Sequence, residues 1–117
     1  MCQCGADGIT GDPNKSFNYT PEGFSRVVQH VIGYGKPTLL LGGGGYNLPN
    51  TARTWCKITA DLLNVEISDD ILDHSLFTCY APDYQLSIKP SSKKDENEGK
   101  YLDSLIAKVL DNLSLIK

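Results

Sequence analysis

The chain has 117 residues, enough for one domain at most, and a formal net charge of −3 from 11 basic and 14 acidic side chains. No basic run follows the chain, so direct nucleic-acid binding has no support. No apolar stretch approaches the roughly 18 residues of a membrane span. The first residues, MCQCGADG, have neither the basic nor the apolar region of a signal peptide. Cys2, Cys4, Cys56 and Cys79 therefore read as reduced thiols of a nuclear or cytoplasmic protein. Their spacing does not make paired C-x-x-C zinc knuckles.

The predicted elements run in chain order as follows. Met1 to Cys4 is a short apolar-leaning stub, and Asp7 sits where the end of a strand delivers a side chain. Asp7 to Asn18 carries Gly8, Gly11, Pro13 and Asn14, strong loop punctuation. Thr20-Pro21-Glu22 opens a helix, with Thr20 as N-cap and Pro21 at the first helical position. Phe24, Val27, Val28 and Val31 make its apolar stripe, and Gly33 and Gly35 end it. Leu39-Leu40-Leu41 is too short for a buried helix and right for a buried strand. A second helix is expected from about Pro49 to Asn64, with Ala52, Trp55, Cys56, Thr59, Leu62 and Leu63 buried and Arg53 solvated. Tyr84 to Ile88 alternates like an edge strand, and residues 90–99, PSSKKDENEG, form a charged, solvated loop. Tyr101 to Ile116 closes the chain with an amphipathic helix. The order strand–loop–helix–strand–loop–helix implies parallel strands joined by a crossover. His30 and His74 have no partner at ligand spacing and read as structural or surface residues.

Between the second strand and its helix lie Gly42 to Gly45 and Tyr46. Four glycines weaken regular structure, and they make sense where backbone takes positive φ or something passes close by. At the carboxyl end of a strand in an open α/β sheet that is usually a ligand. A tight turn with Tyr46 as a packing residue is the plain reading. A phosphate cradle is a second, but G-x-G-x-x-G fails at Asn47, and Gly35-Lys36 lies on the wrong side of the strand for a Walker loop.

A third reading is recognition. GGGGYNLPNTARTW resembles the glycine–tyrosine loop of the class I zinc-dependent histone deacetylases. QCGAD, GDPxxSFNxTPxG, TLLLGGGGYNLPNTARxW and FTxYxPDYxLxIxPS follow one another at that family's spacing, covering the whole chain. The resemblance implies an α/β fold: residues 1–117 as the C-terminal part of an arginase/deacetylase-like three-layer domain with a mainly parallel sheet. It implies zinc held by two aspartates and a histidine, with Asp7 as one of the aspartates. Tyr46 matches the tyrosine that hydrogen-bonds the acetyl carbonyl. Gly43, Gly44 and Gly45 match the glycines lining the acyl-lysine tunnel, and Asn14 stands on the pocket wall where the family has Met or Leu. The implied substrates are acetyl-lysine peptides and histones. Pro13 and Pro49 stand where corepressor-bound members carry arginines for inositol phosphate, so the resemblance points to a corepressor-independent branch.

The departures from the family are as specific. The two adjacent histidines that handle protons are absent, and so is the Asp-x-His segment with the other zinc ligands. Ala81 replaces a usual glycine. The expectation is a fragment, a truncated gene product or a degenerate paralogue, inactive as this chain alone. At most it would act as a binding module.

Overall fold

The computed structural model describes residues 1–116. Its elements are β1 (Cys2–Gln3), α1 (Pro21–Ile32), β2 (Leu40–Leu41), α2 (Leu48–Leu63), a 3-10 turn (Phe77–Tyr80) and α3 (Gly99–Ser114). β1 and β2 are parallel, with Cys2 opposite Leu40 and Gln3 opposite Leu41. The ladder outlasts the strands proper. Cys4 N–H donates to Leu41 O at 2.7 Å, and Ala6 N–H donates to Gly44 O at 2.6 Å. The segment before Asp7 is therefore tied along its length to the glycine loop.

α1 begins as its residues dictate: Thr20 is the N-cap, its hydroxyl accepting from Gly23 N–H, and Pro21 opens the helix. Gly33 caps its far end. α2 is capped by Asn47, whose side chain accepts from Asn50 N–H, and it ends at Asn64 in the left-handed conformation. The two helices pack together over the strand pair. Cys4, Val28 and Ile58 form the buried centre, with Cys2, Phe24, Ile32, Leu40 and Leu62 against it. Ser25 Oγ donates to Asp61 Oδ2 at 2.6 Å across the helix pair, and Lys57 reaches the other oxygen of Asp61. Burial and the neighbouring Cys2 push the Cys4 thiol up to about 11, so it stays protonated.

Several expectations need correction. α2 buries Thr51, Arg53, Thr54, Ile58 and Ala60, whereas Ala52, Cys56, Thr59 and Leu63 face solvent. Trp55 lies at the border, with its indole against Gly42 and its Nε1 donating to Cys4 O at 2.8 Å. The covered strip of α2 is largely polar, with Thr51, Arg53 and Thr54 beside Ile58 and Ala60, so apolar periodicity does not mark the strip that meets other elements of this chain. In α1, likewise, Val28 is buried and Val27 and Val31 are exposed. Residues 84–88 do not form a strand. Gln85 makes a single antiparallel bridge to Asp70, formed by Ile71 N–H donating to Tyr84 O and Leu86 N–H donating to Asp69 O. The Asp69 carboxylate accepts from the Ser87 amide and hydroxyl. Residues 90–98 are exposed as expected, yet Ser91 is bonded to Asn18 and Thr10. α3 starts two residues earlier than expected and its side chains are exposed throughout. Arg53 is not solvated: it is 9% exposed.

Candidate functional site

Two loops meet beyond the strand ends, Gly5–Ser16 after β1 and Gly42–Asn47 after β2. Asp7 is half-buried at the first. Its carboxyl lies against the backbone of Gly44, so close that a Cβ at Gly44 would stand 2.7 Å from the Asp7 carboxyl carbon. Gly45 takes φ +141, and a side chain there would collide with Thr51 and Ala6. Gly43 faces the Gln3 side chain and Gly5 just as closely. Glycine suits this run because the Gly5 backbone and the Asp7 carboxyl crowd Gly43 and Gly44, and Thr51 of α2 crowds Gly45 at its positive φ.

The loops are stitched together by polar side chains. Asp12 Oδ2 accepts Tyr46 N–H at 2.8 Å, and Asp12 Oδ1 accepts Asn14 N–H at 2.9 Å. Asn47 Nδ2 donates to Gly11 O at 3.2 Å, and Asn50 Nδ2 donates to Thr10 O at 3.0 Å. Loss of solvent pushes the Asp12 carboxyl up. Backbone N–H groups of Tyr46, Asn14 and Asn47 outweigh that effect and hold it below the usual carboxylate range. Asn50 is held in turn by Arg53, whose Nη1 donates to Asn50 Oδ1 at 2.9 Å.

Of the residues singled out in the sequence, Asp7 and Asn14 line one open cavity of about 220 Å³, with Gly5, Phe17, Tyr19 and Phe24 also in its wall. Gly44 adjoins Asp7 from the other loop. Tyr46 is not in that cavity, and the residue is 62% exposed. Among the described residues, its hydrogen bond to the Asp7 loop is the one from its backbone N–H to Asp12. His30 pairs edge-on with Tyr34, and His74 accepts Leu76 N–H through Nδ1. Asp12, Asn47, Asn50 and Arg53 were not singled out as site residues. The one available signal was Asp-Pro-Asn at 12–14, a sequence in which an Asp side chain commonly accepts a backbone N–H two residues on.

A family model for the histone deacetylase domain matches residues 1–62, more than half of the chain and the part that holds both loops. The chain belongs to the histone deacetylase family. Histone deacetylase 8 of Danio rerio is 49% identical over 113 residues, covering 97% of this chain and 30% of that protein. Histone deacetylase 8 of Xenopus laevis is 46% identical over 116 residues, covering 99% of this chain and 36% of that protein. Histone deacetylase RPD3 of Saccharomyces cerevisiae is 39% identical, over all of this chain and 27% of that protein. This deacetylase-family chain thus spans about a third of the length of the curated relatives it matches.

A metal needs a donor set. Among the described residues no group of three or more His, Cys, Asp or Glu side chains could hold a metal ion. Cys2 and Cys4 share a strand face, their sulfurs 3.9 Å apart, with Cys4 buried in the core rather than turned to Asp7. Asp7 by itself does not fit zinc, which takes about three protein ligands in catalytic sites.

Proposed function

We propose that residues 1–117 form part of the catalytic domain of a zinc-dependent protein lysine deacetylase. In this reading Asp7 is one carboxylate of a metal site completed by residues this chain does not contain. The fold would be the C-terminal part of an arginase/deacetylase-like three-layer domain, of which the parallel β1–β2 pair is a portion. The observation that carries the reading is the contact of the Asp7 carboxyl with the Gly44 backbone. It sets two of the motifs on which the family resemblance rests, QCGAD and the glycine–tyrosine loop, side by side, as the reading requires.

The chemistry proposed for this chain's own residues is limited and specific. The Tyr46 phenol donates a hydrogen bond to the carbonyl oxygen of a bound acetyl-lysine as charge develops there. In this reading Gly43, Gly44 and Gly45 let the backbone pass close to the Asp7 loop beside the acyl-lysine path, and Asn14 lines the wall beside Asp7. When present, zinc would supply Lewis-acid activation. Acetylated histones and other acyl-lysine proteins are the proposed substrates, the nucleus and cytoplasm the proposed compartments, and no corepressor or inositol phosphate is invoked. The alternative is a non-catalytic binding module, favoured by the exposed apolar strip of α2, with Leu63 67% exposed.

The test has two arms. Purified chain, dialysed against zinc, is expected to bind no stoichiometric metal and to leave an acetyl-lysine peptide intact. A graft of this chain in place of the matching part of the Danio rerio enzyme is expected to hold zinc and turn over, and Asp7→Asn in that graft to lose the metal. Stoichiometric zinc with chelator-sensitive turnover by the chain alone would overturn the ligand assignment. A folded, zinc-loaded graft without turnover would favour the binding module.

A further inference from the structure

We infer that Asp12 is the positioning residue that fixes Tyr46 relative to Asp7. The role of Tyr46 rests on the deacetylase reading above; the geometry does not. Asp12 is 4% exposed, and a buried carboxylate is costly unless its lone pairs are used. Among the described residues no cation pairs with it. Its partners are backbone N–H groups from both sides of the site, Tyr46 at 2.8 Å and Asn14 at 2.9 Å, and the Asn47 amide also helps to hold the carboxyl below its usual range. Successive amides converging on one anion are a known way of holding negative charge without a cation.

The need for such an anchor follows from what surrounds Tyr46. Four glycines precede it, and the residue is 62% exposed, so side-chain packing does not set its position. The backbone must do so. Asn47 and Asn50 also tie the loops together, but they reach Gly11 and Thr10 from the start of α2. Among the described residues, only the Asp12 bond reaches Tyr46 itself. Asparagine is a poor replacement, because it offers one acceptor oxygen and turns an NH₂ group toward an N–H donor.

The experiment starts with the full chain. A through-hydrogen-bond coupling between the Tyr46 amide nitrogen and the Asp12 carboxyl carbon is expected, and its absence at neutral pH overturns the inference. In Asp12→Asn, amide exchange at Tyr46 and Asn47 should accelerate at least tenfold while Val28 and Ile58 keep their rates. Unchanged exchange at Tyr46, or equal acceleration along α1 and α2, overturns it. In the graft, Asp12→Asn should lower kcat roughly 10- to 100-fold, the scale for a small misplacement of a reacting group. Zinc content and KM should hold, and an unchanged kcat counts against the inference. If the unsubstituted graft does not turn over, the deacetylase reading fails, while the coupling and exchange still decide the role of Asp12.

Discussion

Arg53 engages Tyr80 in two ways: its Nη2 donates to the Tyr80 carbonyl at 2.9 Å, and its guanidinium carbon lies 5.0 Å above the Tyr80 ring. Nε of the same side chain donates to Gln85 O at 2.7 Å. One planar fork thus closes the 77–85 segment onto α2 while also bracing Asn50, which lysine with its point charge cannot do. Burial pushes the Arg53 guanidinium down, with Tyr80, Asp83 and Asp69 opposing the shift.

Arg53→Ala should therefore free the 77–85 segment. Charge-assisted hydrogen bonds are worth about 1.5–3 kcal/mol each, so local stability should fall by about 2 kcal/mol or more. Amide exchange at Tyr84 and Leu86, bonded to Tyr80 O and Asp69 O, reads this directly. Arg53→Lys should recover little of the loss. Unaltered protection in both variants would show that other contacts hold the segment.

Tyr46→Phe tests the carbonyl donor. In the grafted enzyme turnover should drop by a factor on the order of 10² to 10³, as it does when one oxyanion donor is removed. Zinc content should not change, since the phenol is not a ligand in this reading. Loss of metal together with activity would contradict that assignment.

Asn14 places an amide in a cavity wall that it shares with the aromatic residues Phe17, Tyr19 and Phe24 and with the polar Asp7 and Ser16. Replacing it with Met in the graft should tighten hydroxamate ligands with apolar linkers by roughly 1 kcal/mol, the value of a modest apolar contact. Titration calorimetry of the two grafts with one such ligand measures this. No gain would place the linker away from residue 14.

Stability should decline in acid for two identifiable carboxylates. Hydrogen bonds from Lys57 and then Ser25 hold Asp61 below the usual range against a smaller opposing effect of burial, and the amide bonds described above do so for Asp12. A depressed folded pKa means the unfolded chain binds protons first as pH falls. The stabilisation is complete above the unfolded value of about 4 and is lost as pH drops through the folded values. Urea midpoints followed by Trp55 fluorescence should fall below about pH 4. The slope should be shallower in Asp61→Asn, and an identical slope would remove Asp61 from the account.

The sequence by itself determined the pieces whose causes are local. Thr20 and Pro21 start α1, Leu40 and Leu41 of the three-leucine run supply β2, and the helix–strand order leads to a parallel pair. It also determined the family, because motif spacing survives as text. Tertiary structure alone decided which strip of α2 is covered, that Arg53 is buried, that Tyr84–Ile88 is one bridge, and that Asp12 joins the two loops. Each of these depends on pairing groups far apart in the chain: Arg53 meets Gln85 across 32 positions, and Asp12 meets Tyr46 across 34. Apolar periodicity reports that a face seeks cover, but not which face finds it. A polar side chain is read as solvated until the carbonyls or amides that satisfy it are brought alongside, and only folding does that.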